Sequence, residues 1–374
     1  MDFNTKYIKY IDYWIIVIIL GLAIYSYFGI SSAKPNLNYA NKQLIWYAIG
    51  FIILCIVLFI DYELIKQYSY FFYGIGLVLL LGLFFFASET KGIIAWYEIK
   101  GVKFQPAEVM KIFTILALAK YLGNRNDRPF TRFIDLYKVF LIVGIPLVLI
   151  LLQPDLGTAL VFISIMMCMM LVYGVKIKHF AILGGIASLG MFALFLLYQY
   201  KNDIFSKIVP GHQLDRLTSF IDPSKDPLGT GYQVMQSLIA VGSGQLSGVG
   251  LYQGKQGKNN WVPESYTDFI FSVIAEEHGF IGASLLILLL FLLIYRIVRI
   301  GISSEDQFGL YVAAGMVGML IFTIFENIGM TLSIMPITGI PLPFISYGGS
   351  SLLTNFISIG IILNIGMRKN KMFE

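Results

Sequence analysis

The sequence predicts an all-α polytopic membrane protein, a bundle of about ten transmembrane helices with one long loop. Two observations indicate this fold class. First, the 374 residues are 57% hydrophobic and only 13% charged, which is too apolar for a soluble chain of this length. Second, the apolar residues form blocks close to the length of about 20 residues that a helix needs to cross a bilayer. Residues 1–374 are therefore expected to form a single integral membrane domain.

Ten blocks are expected to span the membrane. They are residues 14–30, 44–60, 69–87, 107–122, 139–152, 156–175, 180–198, 269–295, 310–330 and 352–367. The fourth is the weakest candidate, because Glu108 and Lys111 lie near its beginning. Residues 201–267 separate the seventh span from the eighth and form the long loop.

Positively charged residues predict the orientation of the bundle. With both termini in the cytoplasm, the inner segments carry 15 Lys and Arg residues, and the short outer loops carry six. The six basic residues of the long loop count for little, since the positive-inside rule applies to short loops. Both termini are therefore expected to be cytoplasmic and the long loop external. The net charge of +5 then favours anionic lipid, and the chain contains no recognisable nucleic-acid-binding module.

The long outer loop has two features of its own. Residues 232–246 repeat apolar side chains at helical spacing, as at Val234 and Leu238, which suits a helix lying at the membrane surface. A glycine-rich stretch, GSGQLSGVGLYQGKQG, follows at residues 242–257. These glycines provide either flexibility or a close approach between backbone segments. A flexible stretch here would be either a mobile loop that could close over a substrate or a simple connector.

The stretch WVPESYTDFIFSVIAEEHG, residues 261–279, places Asp268 where a polar segment leads into an apolar helix. Pro263 disfavours helix before it, so Asp268 is expected at or near the first turn of the eighth span. A carboxylate at that position can reach both a lipid headgroup and water. The alternative is that Asp268 only caps the helix, which would contribute about 0.5 to 2 kcal/mol.

Other ionisable residues lie in or beside the spans, where charges are costly. Glu108 and Lys111 can pair on one helix face, either to neutralise each other or to present Lys111 to a phosphate in an outward cavity. Asp155, in a very short outer turn, is placed either to cap the sixth helix or to act at the same site. Arg216, in the long loop, is either solvated or a contact for a diphosphate.

Residues 327–353, NIGMTLSIMPITGIPLPFISYGGSSLL, cannot form one regular helix, because prolines and glycines interrupt them. Non-helical backbone at membrane depth is tolerated only where protein or a cavity surrounds it. Glu326 and Asn327, in the ninth span, are expected to form hydrogen bonds between helices. The three histidines are scattered singly, so no dedicated protein metal site is expected.

Five strings together resemble the SEDS family, which includes RodA, FtsW and SpoVE. They are WYEIKGVKFQPAEVMK at residues 96–111, LQPDLGTAL at 152–160, DPLGTGYQVMQSLIAVGSGQLSGVG at 226–250, PESYTDFIFSVIAEEHG at 263–279, and the string at 327–353. Within the family, GTGYQVMQS and PLPFISYGGSSLLTN look closer to RodA than to FtsW. Val262 stands where most relatives have phenylalanine or leucine before the proline of the acidic motif.

The resemblance implies a glycosyltransferase that polymerises lipid II into β-1,4-linked peptidoglycan at the outer face of the bacterial cytoplasmic membrane, for cell elongation and rod shape. It implies that Asp268 is the catalytic residue. The substrate-binding positions expected at this site are Glu108, Lys111, Asp155, Arg216, Glu264, Thr267, Ser346 and Tyr347. The family works with a class B penicillin-binding protein. That transpeptidase, lipid II, the lipid-linked nascent glycan and membrane lipids are therefore the expected partners.

The implied reaction needs a base and a positive charge. A GlcNAc 4-hydroxyl attacks an anomeric carbon while a lipid diphosphate leaves, so Asp268 would act as the base. Lys111, Arg216 or a divalent cation such as Mg²⁺ or Mn²⁺ would stabilise the leaving group, and no covalent cofactor is expected. The alternative function is a lipid II flippase. A flippase needs polar lining at both faces, however, and the candidate residues cluster at one.

Overall fold

The structure, a computed structural model, describes residues 10–35, 37–87, 95–99, 102–125, 129–200, 211–227, 229–258 and 261–368. Fourteen α-helices lie in this part of the chain. In order they are α1 (Tyr13–Ala33), α2 (Tyr39–Phe59), α3 (Tyr62–Gln67), α4 (Ser69–Phe86), α5 (Pro106–Gly123), α6 (Tyr137–Leu151), α7 (Leu156–Val172), α8 (Ile177–Tyr200), α9 (Gly211–Ile221), α10 (Thr230–Ser243), α11 (Lys255–Lys258), α12 (Ile270–Ile302), α13 (Gln307–Thr331) and α14 (Gly349–Met367). An antiparallel hairpin of β1 (Tyr97–Ile99) and β2 (Val102–Phe104) precedes α5.

Every predicted span is a helix in the structure, namely α1, α2, α4 to α8 and α12 to α14. Eight helical segments among the described residues are long and apolar enough to cross a membrane. The other two predicted spans, α5 and α7, are less typical of membrane-spanning helices. Helix α7 is apolar but shorter, and α5 carries the charged residues Glu108, Lys111 and Lys120. The prediction of a multi-pass helical membrane protein is therefore confirmed.

The centre of the bundle is formed by α13 and α14, whose apolar stretches are 72% buried. Helix α13 packs against α5, α7 and α12, while α14 packs against α2. By contrast, α8 is peripheral, since only His179 of its residues is buried. Large apolar side chains such as Phe85 and Phe86 remain exposed on the outside of the bundle, as a surface that contacts lipid requires.

Helix α12 is 33 residues long but broken at Gly279, where φ is +63° and ψ is −163°. Only glycine adopts this backbone conformation readily. The break leaves a short half-helix at residues 270–278 and a longer half-helix at 280–302. Residues 270–277 are all buried inside the protein. The predicted eighth span is therefore present as α12, and the structure adds a break at Gly279 and a first half-helix that packs against protein.

The glycine-rich stretch of the long loop packs against this break. Val249 N donates to the Glu276 carbonyl oxygen at 3.0 Å, and Phe280 N donates to the Gln245 carbonyl oxygen at 2.8 Å. A Cβ on Gly248 would lie 2.0 Å from a carbonyl oxygen of the half-helix. Of the two alternatives for these glycines, the structure shows the close backbone approach.

The predicted surface helix in the long loop is α10. Met235 and Ile239 on one side are each 46% exposed. On the other side, the buried Ser237 Oγ donates to the Thr331 carbonyl oxygen at 2.8 Å and joins α10 to the end of α13. Val234 differs from the expectation, because it is buried against the protein and does not share the exposed side.

Candidate active site

Asp268 lies immediately before the buried half-helix of α12. The N-cap residue of that helix is Phe269. Asp268 is therefore one residue before the N-cap, which is the position whose side chain normally caps a helix. Its side chain is half-buried and points toward Gly339. A Cβ on that glycine would lie 3.3 Å from Asp268 Oδ2. Because position 339 is glycine, no side chain of that residue crowds the carboxylate.

Asn327, fully buried in α13, holds the backbone at Asp268. Its Nδ2 atom donates to the carbonyl oxygens of Asp268 and Ile340, each at 2.8 Å. One amide therefore joins three separate parts of the chain. The prediction named hydrogen bonds between helices, whereas both acceptors lie outside helices, in the residue before the N-cap of α12 and in the segment that follows α13. Glu326 is also fully buried, but its carboxylate forms no well-aligned hydrogen bond among the described residues, although Thr338 lies close to it.

Residues 332–348 form the irregular segment that the prolines and glycines predict. Side chains of α1 and α2 bind its carbonyl groups. Ser26 Oγ donates to the Ile345 carbonyl oxygen at 2.7 Å, and Gln43 Nε2 donates to the Ser346 carbonyl oxygen at 3.1 Å. Buried backbone groups are thereby satisfied at membrane depth. Neither Ser26 nor Gln43 was predicted. Ser26 is a polar side chain inside an apolar span, which is the signal that could have identified it, whereas Gln43 lies one residue before the predicted second span.

Ser346 and Tyr347 join this irregular segment to the residues that precede α12. Ser346 Oγ donates to the Thr267 carbonyl oxygen at 2.5 Å, and Tyr347 N donates to the Tyr266 carbonyl oxygen at 3.0 Å. Thr267 Oγ1 in turn donates to Glu264 Oε2 at 3.1 Å. The structure therefore brings four of the predicted substrate-binding residues together next to the acidic residue.

Glu108 and Lys111 form a buried ion pair in the first turns of α5. Lys111 Nζ lies 2.8 Å from Glu108 Oε1, and each side chain is only 5% exposed. Pro106 begins the helix, as predicted. Because both charges are enclosed by protein, the structure does not present Lys111 to a phosphate in an open cavity. Mutual neutralisation is the alternative that the geometry shows.

Asp155 caps α7, the helix of the predicted sixth span, which was one of its two predicted roles. Its carboxylate accepts from Thr158 N at 3.0 Å and from Thr158 Oγ1 at 2.8 Å. Burial raises the pKa of Asp155, against the opposing effects of these hydrogen bonds and of the Lys111 charge, while the Glu108 charge acts in the same direction as burial. Asp155, Glu108 and Lys111 therefore form one electrostatic cluster.

Arg216 lies on α9 of the long loop and contacts the irregular segment. Its Nη1 atom donates to the Thr338 carbonyl oxygen at 3.1 Å, and Gln213 Nε2 donates to the Pro154 carbonyl oxygen at 3.3 Å. A Cβ on Gly157 would lie 3.0 Å from Thr338 Cβ. The electrostatic cluster and the Asp268 group thus meet at residues 338–340, and Arg216 is bound there and is not simply solvated.

These features define a class of protein. It is a multi-pass helical membrane protein in which an acidic residue directly precedes a broken helix. A side chain of α13 donates to the backbone of that residue, and side chains of α1 and α2 donate to the irregular segment beside it. In the described ranges, no group of three or more His, Cys, Asp or Glu side chains is placed to hold a metal ion.

The chain belongs to the FtsW, RodA and SpoVE family of cell cycle proteins, whose profile matches residues 8–371. Stage V sporulation protein E of Bacillus subtilis (strain 168) is 36% identical over 334 residues, which cover 87% of this chain and 86% of that protein. The peptidoglycan glycosyltransferase MrdB of Escherichia coli (strain K12) is 32% identical over 359 residues, covering 95% and 93% of the two chains.

Solved structures show the same fold. A chain from a peptidoglycan synthase complex that coordinates polymerization and crosslinking superposes with a TM-score of 0.80 at 31% identity. The match covers 96% of this chain and 99% of that chain. The resemblance to the SEDS family is therefore confirmed over nearly the whole sequence.

Proposed function

We propose that this protein is a peptidoglycan glycosyltransferase that polymerises lipid II into β-1,4-linked glycan strands. The observation that carries the proposal is the position of Asp268, which stands at the head of a buried half-helix with its backbone held by Asn327. Because residue 339 is glycine, no side chain at that position crowds the carboxylate, and a substrate would approach it there. Similarity to MrdB, a named peptidoglycan glycosyltransferase, over 95% of the chain supports the same activity.

In the proposed reaction, Asp268 removes the proton from the GlcNAc 4-hydroxyl as its oxygen attacks the anomeric carbon of the second substrate. The new bond joins that carbon to the hydroxyl oxygen, and the bond to the lipid diphosphate breaks. Glu264, Thr267, Ser346 and Tyr347 border the same place and would contact the sugars. A divalent cation, Mg²⁺ or Mn²⁺, would help to neutralise the leaving diphosphate when bound.

The remaining substrate-binding predictions take a modified form. We propose that Glu108, Lys111 and Asp155 act indirectly. The ion pair in α5 and the Asp155 cap of α7 would hold the beginnings of these two helices in place, and α7 in turn supports residues 338–340. Arg216 would reach the substrate from the long loop while it keeps its contact with Thr338.

We further propose that the active site faces outward from the bacterial cytoplasmic membrane, with both termini in the cytoplasm. The distribution of basic residues supports this orientation. A class B penicillin-binding protein is the proposed partner, since a similar chain was solved within a peptidoglycan synthase complex. The RodA-like strings at residues 229–237 and 341–355 support a role in cell elongation.

The proposal is tested with purified protein and its cognate transpeptidase in liposomes that contain labelled lipid II. We expect glycan strands that migrate as a ladder on a denaturing gel. The flippase alternative predicts a different result, in which labelled lipid II crosses between leaflets and no polymer forms.

A further inference from the structure

A polar cleft lies at the end of the bundle opposite Asp268 and has no part in the proposed reaction. Its volume is about 310 Å³, and residues of α3, the end of α5 and the beginning of α13 line it. Asp306, the N-cap residue of α13, lines the cleft, whereas Asn327 near the end of that helix binds the Asp268 backbone. At 1.5 Å per residue, these two positions are about 30 Å apart, which is the thickness of the hydrocarbon core of a bilayer. The cleft therefore lies at the other face of the membrane.

Two lysines give the cleft a positive charge. Lys66 Nζ forms an ion pair with Asp306 Oδ2 at 2.8 Å, and Lys120 Nζ donates to the Gln67 carbonyl oxygen at 2.5 Å. An ammonium group has three N–H donors, so each lysine retains donors for a further acceptor. The residues that line the cleft include these two ammonium groups and the carboxylate of Asp306, which leaves the positive charge in excess.

The beginning of a long helix also borders the cleft. Phe308 N is in the first turn of α13, where backbone N–H groups have no acceptor within the helix. A Cβ on Gly123 would lie 3.6 Å from this nitrogen. Because residue 123 is glycine, no side chain at that position covers the N–H group. The positive end of α13 therefore adds to the attraction of an anion.

An apolar groove runs along α4 next to the cleft. Its lining residues are Tyr70, Phe71, Gly74, Ile75, Val78 and Leu79. The groove has a volume of about 500 Å³, and a Cβ on Gly74 would meet open space. From Tyr70 to Leu79 it is about 14 Å long, close to the roughly 15 Å that one leaflet contributes to the hydrocarbon core. The groove therefore has the length of an acyl chain in one leaflet.

Lys120 joins the groove to the cleft. It lines the cleft, and its Nζ atom lies 4.9 Å from the centroid of the Tyr70 ring, which lines the groove. An ammonium group over a ring face is attracted to it, so this contact holds the lysine at the boundary. An anionic phospholipid has the same order of parts, with a phosphate next to an acyl chain. The charge of the cleft and the shape of the groove thus complement one such molecule.

We propose that the cleft and the groove bind one anionic phospholipid of the leaflet opposite the active site. Lys66, Lys120 and the first turn of α13 hold the phosphate, and the groove on α4 holds an acyl chain. Lysine ammonium groups bind phosphate oxygens through charge-assisted hydrogen bonds. With the proposed orientation of the termini, this is the cytoplasmic leaflet.

Binding is measured by native mass spectrometry of the purified full-length protein. The probes are phosphatidylglycerol and phosphatidylethanolamine with the same acyl chains. We expect phosphatidylglycerol to bind about tenfold more tightly, because only its headgroup carries a net negative charge. Inorganic phosphate at millimolar concentration should not displace it, since phosphate has no acyl chain to occupy the groove. Displacement by phosphate would contradict a lipid as the ligand.

Charge removal at the boundary is the first variant test. Lys120→Gln should weaken phosphatidylglycerol binding about tenfold, equivalent to about 1.4 kcal/mol, because a charge-assisted hydrogen bond is lost. The matched control is Lys138→Gln at the beginning of α6, at the same end of the bundle. Lys138 Nζ lies 5.7 Å from the centroid of the Tyr137 ring but outside the cleft. This control should bind phosphatidylglycerol as the wild type does.

Filling the groove is a second test that leaves every charge in place. Gly74→Leu puts a side chain into the groove and should weaken phosphatidylglycerol binding several-fold. Gly144→Leu in α6 is the control, because a Cβ on Gly144 also meets open space but lies outside the groove. Thermal unfolding of both variants establishes that they are folded.

Three outcomes would overturn the inference. In the first, Lys138→Gln loses as much affinity for phosphatidylglycerol as Lys120→Gln, which would identify a general attraction of lipid to a basic surface. In the second, Lys120→Gln and Gly74→Leu bind phosphatidylglycerol as the wild type does. In the third, the wild type binds the two phospholipids equally. None of these measurements depends on glycan synthesis, so they test the lipid site separately from the proposed function.

Discussion

The side-chain amide of Asn327 donates a hydrogen bond of 2.8 Å to the carbonyl oxygen of Asp268. The same nitrogen donates to Ile340, in the segment that faces the Asp268 carboxylate. The proposed base is thus positioned through its own backbone by a buried residue of a different helix.

Replacement of Asn327 by leucine should reduce both stability and activity. Two buried carbonyl oxygens would lose their donor, which costs about 1 to 3 kcal/mol for each unsatisfied group. A shift of Asp268 by about 1 Å would lower kcat roughly a hundredfold. Unfolding temperature and polymerisation rate per folded molecule measure the two effects.

Asn364→Leu is the matched control, because Asn364 Nδ2 donates to the Val57 and Ile60 carbonyl oxygens, also at 2.8 Å each, in a different part of the bundle. We expect it to lower stability by a similar amount and to leave kcat unchanged. Equal loss of kcat in the two variants would show that Asn327 has no special relation to Asp268.

The sequence predicts the helices and the irregular segment well, because both follow from local composition. Blocks of apolar residues mark the spans, and the prolines of residues 327–353 mark the irregular backbone. Asp268 is predictable for the same reason, since it is an acidic residue at the edge of an apolar block. The break at Gly279 is not predictable, because one glycine in an apolar stretch does not reveal its φ angle.

Contacts between distant parts of the chain also escape local patterns. The stack of Tyr39 on Tyr266 joins residues more than 200 positions apart, and no periodicity in either segment predicts it. The same limit applies to Glu108 and Lys111. Their spacing predicts that they pair, but it does not reveal that the surrounding helices enclose the pair.

Lys111→Met should strongly destabilise the protein, because it leaves Glu108 as an uncompensated buried charge. Breaking a buried pair in this way costs about 3 to 5 kcal/mol. The double variant Glu108→Gln with Lys111→Met should recover most of that loss in thermal unfolding. Lys66→Met is the control, since Lys66 and Asp306 are each about one-third exposed, and loss of that pair should cost at most about 1 kcal/mol.

Gly279→Ala should destabilise the fold and remove activity. The positive φ and a clash of the new Cβ with Gly248 N, 2.3 Å away, would push the long loop from the half-helix. The backbone strain alone costs about 1 to 3 kcal/mol. Gly184→Ala in α8 has open space and should be neutral or stabilising by roughly 0.5 to 1 kcal/mol. Equal unfolding temperatures for the two variants would contradict the assigned break.

Asp306 should contribute stability that depends on pH. Burial opposes its ionisation, but hydrogen bonds from Lys66, Tyr62 and Gly309 N outweigh burial and hold the pKa of Asp306 below its usual range. The stabilisation is therefore complete above the ordinary aspartate pKa of about 3.9 and is lost as pH falls through the lower folded-state value. In a plot of unfolding free energy against pH, Asp306→Asn should reduce the loss of stability at acid pH. An unchanged loss in the variant would show that other carboxylates cause it.

The central proposal, that Asp268 is the base of a lipid II polymerase, is tested most directly by Asp268→Asn. This change keeps the size of the side chain and removes its ability to accept a proton. We expect the rate of glycan synthesis to fall about 10²- to 10⁴-fold, the usual contribution of a general base. The measurement is polymerisation of purified lipid II by folded protein in liposomes. Asp222→Asn serves as the control because Asp222 caps a short turn in the long loop, and it should polymerise at the wild-type rate. Wild-type polymerisation by Asp268→Asn would contradict the assignment.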